Sequence, residues 1–152
     1  MADQFEDEAD LAVDVRRFFD PYDDKSIRKH CGRHWKIQRG VQENLEWPGW
    51  LQELHHKLSK IRNGKDDEGA SLIVDVTCNR GRHRSVAVAT ILGFLLQQQA
   101  ALEVTVVHKN NQLCQCNQCV EPRPLLTDVT YRVWNSLGSL GRPSSGSLPS
   151  VQ

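Results

Sequence analysis

Three absences restrict the classes of protein to which this sequence can belong. It has no net charge, since 19 Lys and Arg residues balance 19 Asp and Glu residues, so its overall charge favours neither a polyanionic nor a polycationic partner. It has no apolar stretch near the ~20 residues that a membrane span requires, so we expect no membrane association. Its five cysteines are odd in number and follow no secretory signal, which argues against a disulfide framework and leads us to expect a cytoplasmic protein.

Length and hydrophobic patterning predict one domain over residues 10–137, between an acidic disordered tail of residues 1–9 and a disordered tail rich in Ser, Gly and Pro over residues 138–152. The fold class that we expect is a small three-layer α/β domain with a mostly parallel sheet, because strands joined through helices form parallel crossovers. The apolar patterns indicate strands over 11–16, 72–76 and 103–107, and helices over 43–61, 85–96 and 127–137.

The most informative stretch is the loop of residues 78–85, which reads Cys-Asn-Arg-Gly-Arg-His-Arg-Ser and joins the second predicted strand to a helix. A loop in this position lies at the carboxyl edge of a parallel sheet, where α/β domains bind ligands. The unpaired N–H groups of the helix, for which Ser85 is the expected N-cap, favour an anion at that edge. The sequence therefore predicts a strand–phosphate loop–helix unit that binds a phosphorylated small molecule through Cys78, Asn79, Arg80, Gly81, Arg82, His83, Arg84 and Ser85. Two alternatives stay open: Cys78 packs as a small residue at the strand end, or His83 holds the loop through a backbone hydrogen bond without touching the ligand.

The same loop resembles the RapZ C-terminal domain family, whose loop reads Cys-Thr-Gly-Gly-x-His-Arg-Ser-Val. The matching residues are Cys78, Gly81 and the run His83-Arg84-Ser85-Val86, while Asn79 and Arg80 stand where that family has Thr and Gly. Asp14-Val15-Arg16 is similar to the end of the family's first strand, and Val104 to His108 is similar to a later strand that ends in His. The resemblance covers about residues 10–110.

The resemblance implies that the domain binds an amino-sugar phosphate or a nucleotide-like ligand, with a regulatory role. It also implies that Asp14, Arg16 and His108 lie at neighbouring strand ends and bind the ligand, with Asp14 accepting from a sugar hydroxyl or amine. The residues themselves leave an alternative open, in which Asp14 and Arg16 pair with each other or with the loop arginines. In bacterial members it implies that the domain binds a small regulatory RNA.

A second interpretation of the loop is enzymatic. Residues 78–85 also resemble the Cys-x5-Arg-Ser pattern of cysteine phosphatases, in which Cys78 would be the nucleophile, Arg84 would grip the phosphate and Ser85 would assist the leaving thiolate. Trp47-Pro48-Gly49 resembles the Trp-Pro-Asp loop of that family. Because Gly49 stands in place of the general acid, we expect binding without catalysis.

RNA binding is a third possibility, and it depends on the distribution of charge. Residues 25–39 contain six basic residues and no acidic one, in a stretch for which we expect a long loop with a short helical piece. Lys29, Arg33 and Lys36 would contact phosphates, and Trp35 would stack on a base. A solvated loop face explains the same residues equally well.

Cys114, Cys116 and Cys119 form the last group with a recognisable chemical pattern. Three thiolates and one further ligand suit tetrahedral zinc, for which His108 or Cys31 is the expected fourth ligand. Three reduced surface cysteines are the alternative that the spacing leaves open. Apart from this structural zinc, we expect no cofactor. The sequence leaves the oligomeric state open.

Overall fold

The computed structural model of the chain describes residues 9–18, 24–64, 72–78, 83–98, 106–107, 113–120 and 123–140. Within these ranges it contains two strands and five helices, which in chain order are β1 (Leu11–Asp14), α1 (Trp35–Gln42), α2 (Trp47–Asn63), β2 (Val74–Thr77), α3 (Arg84–Gln97), α4 (Asn117–Val120) and α5 (Asp128–Leu137). This combination of helices with a parallel sheet confirms the predicted α/β class. None of these helices is long and apolar enough to cross a membrane.

The two strands pair in parallel, with Leu11 opposite Val74 and Asp14 opposite Thr77. The pairing continues past the end of β1, where the Val15 N–H group donates to the Thr77 carbonyl at 2.9 Å. Because the strands are parallel, their carboxyl ends meet at one edge of the sheet, which is where ligands bind in such folds.

The third predicted strand, over residues 103–107, lies mostly outside the described residues. Val106 and Val107 are described, and neither belongs to a strand. The side chain of Val106 lies so close to Gly93 of α3 that a Cβ at Gly93 would collide with it. Gly93 therefore leaves room for the Val106 side chain beside the helix.

The central helix α3 packs against β2 and α1 and is buried on nearly all sides. Val86, Leu92 and Leu96, which form one apolar stripe in the sequence, are buried, whereas the predicted N-cap at Ser85 is wrong. Residues off the stripe, such as Val88 and Leu95, are also buried because neighbouring elements cover more than one face. The helix begins at Arg84 with His83 at its N-cap, so Ser85 belongs to the first turn.

The first helix, α1, lies partly in the stretch for which the sequence predicts a long loop with a short helical piece. His34 caps it, since the Nδ1 atom of His34 accepts from the Lys36 N–H group at 3.1 Å. Its buried face consists of Ile37, Gln38, Val41 and Gln42. Since two of these four are glutamines, the helical period is not visible as an apolar pattern. The predicted helix over 43–61 begins later, at Trp47, with Pro48 in its first turn.

A buried polar network connects α1 to residues 125–130. The Gln42 side chain donates to the Leu125 carbonyl at 2.8 Å and accepts from the Thr130 hydroxyl at 2.7 Å. The same Thr130 hydroxyl accepts from Trp47 Nε1 at 2.8 Å. These bonds hold α5 next to α2. Leu140 is also buried in the core, so packed chain extends beyond the predicted domain end at residue 137.

Candidate functional site

Asp14 and Arg16 lie together at the carboxyl end of β1. The Arg16 Nε atom donates to both carboxylate oxygens of Asp14, at 3.0 and 2.7 Å, and the Arg16 backbone N–H donates to the same group at 2.9 Å. The side-chain hydrogen bonds, followed by the backbone one, are the main reason that the pKa of Asp14 is lowered, and the side-chain hydrogen bonds also raise the pKa of Arg16. Both side chains are largely exposed. The end of β1 thus presents the Asp14–Arg16 ion pair to solvent.

Cys78 and Ser85 join the end of β2 to the first turn of α3. The Ser85 N–H group donates to Cys78 Sγ at 3.3 Å, and the thiol donates to the Ser85 hydroxyl at 3.3 Å. The two ends of the loop are therefore held close together. Asn79, Arg80, Gly81 and Arg82, which the sequence assigns to phosphate binding, lie outside the described residues.

Arg84 is buried in the first turn of α3, and its Nη1 atom donates to the backbone carbonyl of Arg16. The positive charge of Arg84 also lowers the pKa of Asp14, but by less than the hydrogen bonds from Arg16 do. The guanidinium thus ties the end of β1 to α3. We call Asp14, Arg16, Cys78, Arg84 and Ser85 the strand-end edge.

His83 is buried beside this edge and contacts the segment of residues 24–34. Its Nε2 atom lies 2.8 Å from the Arg28 carbonyl, and since a carbonyl only accepts, Nε2 carries the hydrogen. Gly32 packs against the same turn so closely that a Cβ would collide with the backbone of His83, Val86 and Ala87. Phosphate binding by His83 stays a prediction, and the observed contact instead holds His83 against the segment of residues 24–34.

The residues predicted to bind RNA are not equally exposed. Lys29 and Lys36 are exposed, and Lys36 Nζ lies 5.5 Å from the centre of the Trp35 ring, which is 37% exposed. Arg33 is only partly exposed, and its Nη2 atom donates to the Cys114 carbonyl at 2.9 Å. RNA binding at these residues stays a prediction.

Trp47, Pro48 and Gly49, which resemble a phosphatase loop, form the first turn of α2. The Trp47 side chain is fully buried in the core. A helical turn that is anchored by the buried Trp47 side chain cannot close over a substrate in the way that a mobile acid loop does. His108, the remaining residue expected at the ligand site, lies outside the described residues.

The three cysteines near the C-terminal part of the domain converge on a histidine that sequence reasoning missed. His30 Nδ1 lies 3.6 Å from Cys114 Sγ, 3.4 Å from Cys116 Sγ and 3.5 Å from Cys119 Sγ. We call these four residues the cysteine–histidine cluster. Cys31, one of the two expected fourth ligands, is buried, and its sulfur accepts from the Arg33 N–H group at 3.5 Å. No sequence signal singles out His30, because it is 84 residues before Cys114.

Comparison of the sequence with known proteins identifies the family to which this chain is similar. Residues 3–112 match the family model of the RapZ C-terminal domain, and Cys114, Cys116 and Cys119 lie beyond the matched residues. Relatives named nucleotide-binding protein include one from Mycobacterium ulcerans (strain Agy99), which is 33% identical over 104 residues, or 68% of this chain and 34% of the relative. One from Nocardia farcinica is 32% identical over 108 residues, with 68% and 34% covered. The chain thus spans about a third of the length of these curated relatives.

Proposed function

The chain belongs to the RapZ C-terminal domain family, and from this membership we propose that it binds a phosphorylated small molecule at the strand-end edge. The observation that carries the proposal is the parallel, in-register pairing of β1 and β2. That pairing brings the Asp14–Arg16 pair and the Cys78–Ser85 contact to the same edge of the sheet, next to the first turn of α3. The edge therefore combines positive charge with the end of a helix that favours anions.

The charges at this edge favour a ligand with two different polar groups. A phosphate is matched by the Arg16 guanidinium, by the charge of Arg84 and by the positive end of the α3 dipole. Because the hydrogen bonds from Arg16 lower its pKa, the Asp14 carboxylate stays ionised and accepts hydrogen bonds from a hydroxyl or ammonium group. An amino-sugar phosphate carries both groups, and a nucleotide-like ligand carries the phosphate and the hydroxyls.

The relatives' name supports only the coarser part of this proposal. Each is called a nucleotide-binding protein, but this chain corresponds to about a third of each of them. Nucleotide binding by those relatives can belong to a part of them that this chain does not match. We therefore propose a phosphorylated ligand for this domain and leave the presence of a base to experiment.

Calorimetry with three probes tests the proposal. We expect an amino-sugar phosphate to bind more tightly than inorganic phosphate, and the unphosphorylated amino sugar to bind weakest, since the phosphate supplies most of the charge–charge attraction. Arg16→Ala should weaken binding by about 1.5–3 kcal/mol, because it removes a charged hydrogen bond and leaves Asp14 to repel the phosphate.

Arg17→Ala is the matched control, because Arg17 is the next residue, is also exposed and pairs with Glu46 at 3.1 Å instead of with Asp14. Equal losses in the two variants would show that general charge, and not the strand-end edge, attracts the ligand. Absence of binding by all three probes to the wild-type chain would overturn the proposal.

One contact favours a second candidate, a cysteine-dependent phosphatase. The Cys78 thiol and the Ser85 hydroxyl are 3.3 Å apart, as a hydroxyl that assists a leaving thiolate requires. The general acid has no counterpart at Gly49, which is in a helix. We expect no hydrolysis of an aryl phosphate by the wild-type chain. Steady hydrolysis that disappears in Cys78→Ser would establish the enzymatic alternative.

A further inference from the structure

The cysteine–histidine cluster has the dimensions of a tetrahedral metal site. Zinc bound at about 2.3 Å from sulfur and about 2.0–2.1 Å from nitrogen places a nitrogen and a sulfur ligand about 3.6 Å apart at the tetrahedral angle. The three distances from His30 Nδ1 to the sulfurs are 3.6, 3.4 and 3.5 Å. All four ligand atoms lie within 4.8 Å of one another. The nitrogen–sulfur distances thus match those of a tetrahedral zinc site, and the three sulfurs are close enough together to share one ion.

Hydrogen bonding does not account for this arrangement. A neutral imidazole Nδ1 atom either carries one hydrogen or offers one lone pair, so it forms one good hydrogen bond and not three. The three cysteines are free thiols and not disulfides. A single cation between the four atoms satisfies all of the contacts at once, which no set of hydrogen bonds does.

The charge of the surroundings supports a bound cation with three thiolates. One divalent ion and three thiolates carry a net charge of about −1. Arg33 is next to the cluster, since its Nη2 atom donates to the Cys114 carbonyl at 2.9 Å. Its Nε atom is buried and has no hydrogen-bond partner in the part of the chain that the structure describes. A partly buried guanidinium is costly without a compensating negative charge, and the metal-bound thiolates supply one.

We propose that His30, Cys114, Cys116 and Cys119 bind one Zn²⁺ ion. Soft thiolates with one imidazole in tetrahedral geometry select zinc over the harder divalent cations. Four protein ligands leave no open coordination position for water or substrate, so the site is structural and not catalytic. The proposal is independent of phosphate binding, because no residue of the strand-end edge is a ligand.

The zinc ion fastens two segments that are distant in the sequence. His30 lies in the segment of residues 24–34, and the cysteines lie in residues 113–120. Around the cluster, His34 Nε2 lies 3.0 Å from the Gln118 side-chain oxygen, and the rings of His30 and His34 are 4.3 Å apart. These contacts orient the ligand segments, as outer hydrogen bonds do at metal sites. Residues 113–120 are thereby attached to a domain whose family match ends at residue 112.

Metal analysis of the full chain tests the proposal directly. Protein made without a polyhistidine tag and purified without added metal or chelator should contain about one zinc per chain. Exchange with Co²⁺ should produce the thiolate-to-metal charge-transfer band and the intense visible bands of a tetrahedral site. Less than about one tenth of an equivalent of zinc, both as purified and after incubation with Zn²⁺ and dialysis, would overturn the proposal. Iron with inorganic sulfide in place of zinc would also overturn it.

Three variants identify the ligands. Cys116→Ser should lower zinc affinity at least about tenfold, since one thiolate is lost. His30→Cys should retain zinc and strengthen the Co²⁺ charge-transfer band by about one third, because four thiolates replace three. His56→Ala is the control, since His56 is exposed on α2 and outside the cluster, and it should leave zinc content unchanged. A His30→Cys variant whose Co²⁺ spectrum equals that of the wild type would exclude His30 as a ligand. If Cys116→Ser does not fold, the zinc content of the wild-type chain still decides the question.

Discussion

The strand-end edge and the cysteine–histidine cluster differ in how their residues are brought together. At the edge, backbone pairing of β1 with β2 brings the residues at the two strand ends together, and the Asp14–Arg16 pair forms between residues two positions apart. In the cluster, three residues at positions 114–119 meet one residue 84 to 89 positions earlier, through side chains. The pairing of the strands is therefore enough to form the edge, whereas the cluster requires an attraction between its own side chains.

The segment of residues 24–34 connects the two regions. One part of it supplies His30 to the cluster, and other parts contact the first turn of α3 through the Arg28 carbonyl and through Gly32. A change in this segment should affect both regions, and a change within one region should leave the other largely intact. Three predictions test this difference, beginning with the largest expected effect.

Gly32→Ala should destabilise the whole domain. The new methyl group would overlap the backbone of His83, Val86 and Ala87, and backbone atoms of a packed helix cannot move aside as a side chain can. We expect the free energy of unfolding to fall by about 3 kcal/mol or more, at the upper end of overpacking effects. Urea denaturation measures it.

Gly49→Ala is the matched control for that substitution. A Cβ at Gly49 meets no atom within 4 Å, and the residue is in α2. The same change should therefore raise the free energy of unfolding by about 0.5–1 kcal/mol through helix propensity. Similar destabilisation by both substitutions would mean that the contact between Gly32 and α3 is not what makes position 32 sensitive.

Zinc removal should affect the two C-terminal segments differently. Residues 113–120 are held by the cluster, whereas residues 125–130 are held by hydrogen bonds to Gln38 and Gln42. After treatment with a strong chelator, the amides of Cys119 and Val120 should exchange their hydrogens at least about tenfold faster. The amides of Leu125 and Thr127, which donate to those glutamines at 2.8 and 2.9 Å, should change little.

Hydrogen exchange followed by NMR measures both sets of amides in one sample, so the second set is an internal control. Uniform acceleration at all four positions would show that zinc stabilises the domain as a whole and not residues 113–120 in particular. Unchanged exchange at Cys119 and Val120 would show that the backbone bonds from these amides to Cys116, at 3.0 Å each, persist without metal.

The parts of the fold that the sequence predicts well are those with a strong local pattern. The strands near Leu11 and Val74, the helix after residue 83 and the helix over 128–137 each have apolar residues at the expected spacing. Their parallel pairing follows from the helical connection between strands. The residues at the carboxyl edge could therefore be named from the sequence, because strand ends are local features and topology brings them together.

The remaining features depend on contacts that no local pattern records. The buried face of α1 contains Gln38 and Gln42, whose partners in residues 125–130 supply the hydrogen bonds that make burial favourable. The start of α3 is shifted from Ser85 because the Ser85 N–H group has Cys78 Sγ as its acceptor. His30 is a candidate ligand only because the fold places it beside the three cysteines. In each case a partner more than five positions away determines the role of the residue.

The smallest effect concerns the ion pair at the strand-end edge and its dependence on pH. Hydrogen bonds from Arg16 lower the pKa of Asp14 in the folded chain. A group whose pKa is lower in the folded state stabilises that state above its unfolded pKa, near 3.9, and loses this contribution as the pH falls through the folded value. Asp14→Asn should therefore reduce stability at pH 7, and the difference from wild type should narrow below about pH 4. The effect should be small because the pair is exposed to solvent.

Denaturation of the wild type and the variant from pH 7 down to pH 3 measures this difference, and the comparison also separates the edge from the cluster. Acid releases zinc from thiolates and imidazole, but it does so in both chains, so that contribution cancels when one curve is subtracted from the other. Added salt should shrink the Asp14→Asn difference by screening, whereas chelation should leave it unchanged. Glu53→Gln is the control, since Glu53 forms one exposed contact with Lys57 at 3.5 Å, and it should change stability less than Asp14→Asn does. A difference that stays constant from pH 7 to pH 3 would contradict the role given to Arg16, because an ion pair that lowers the pKa of Asp14 must lose its effect when that carboxylate is protonated.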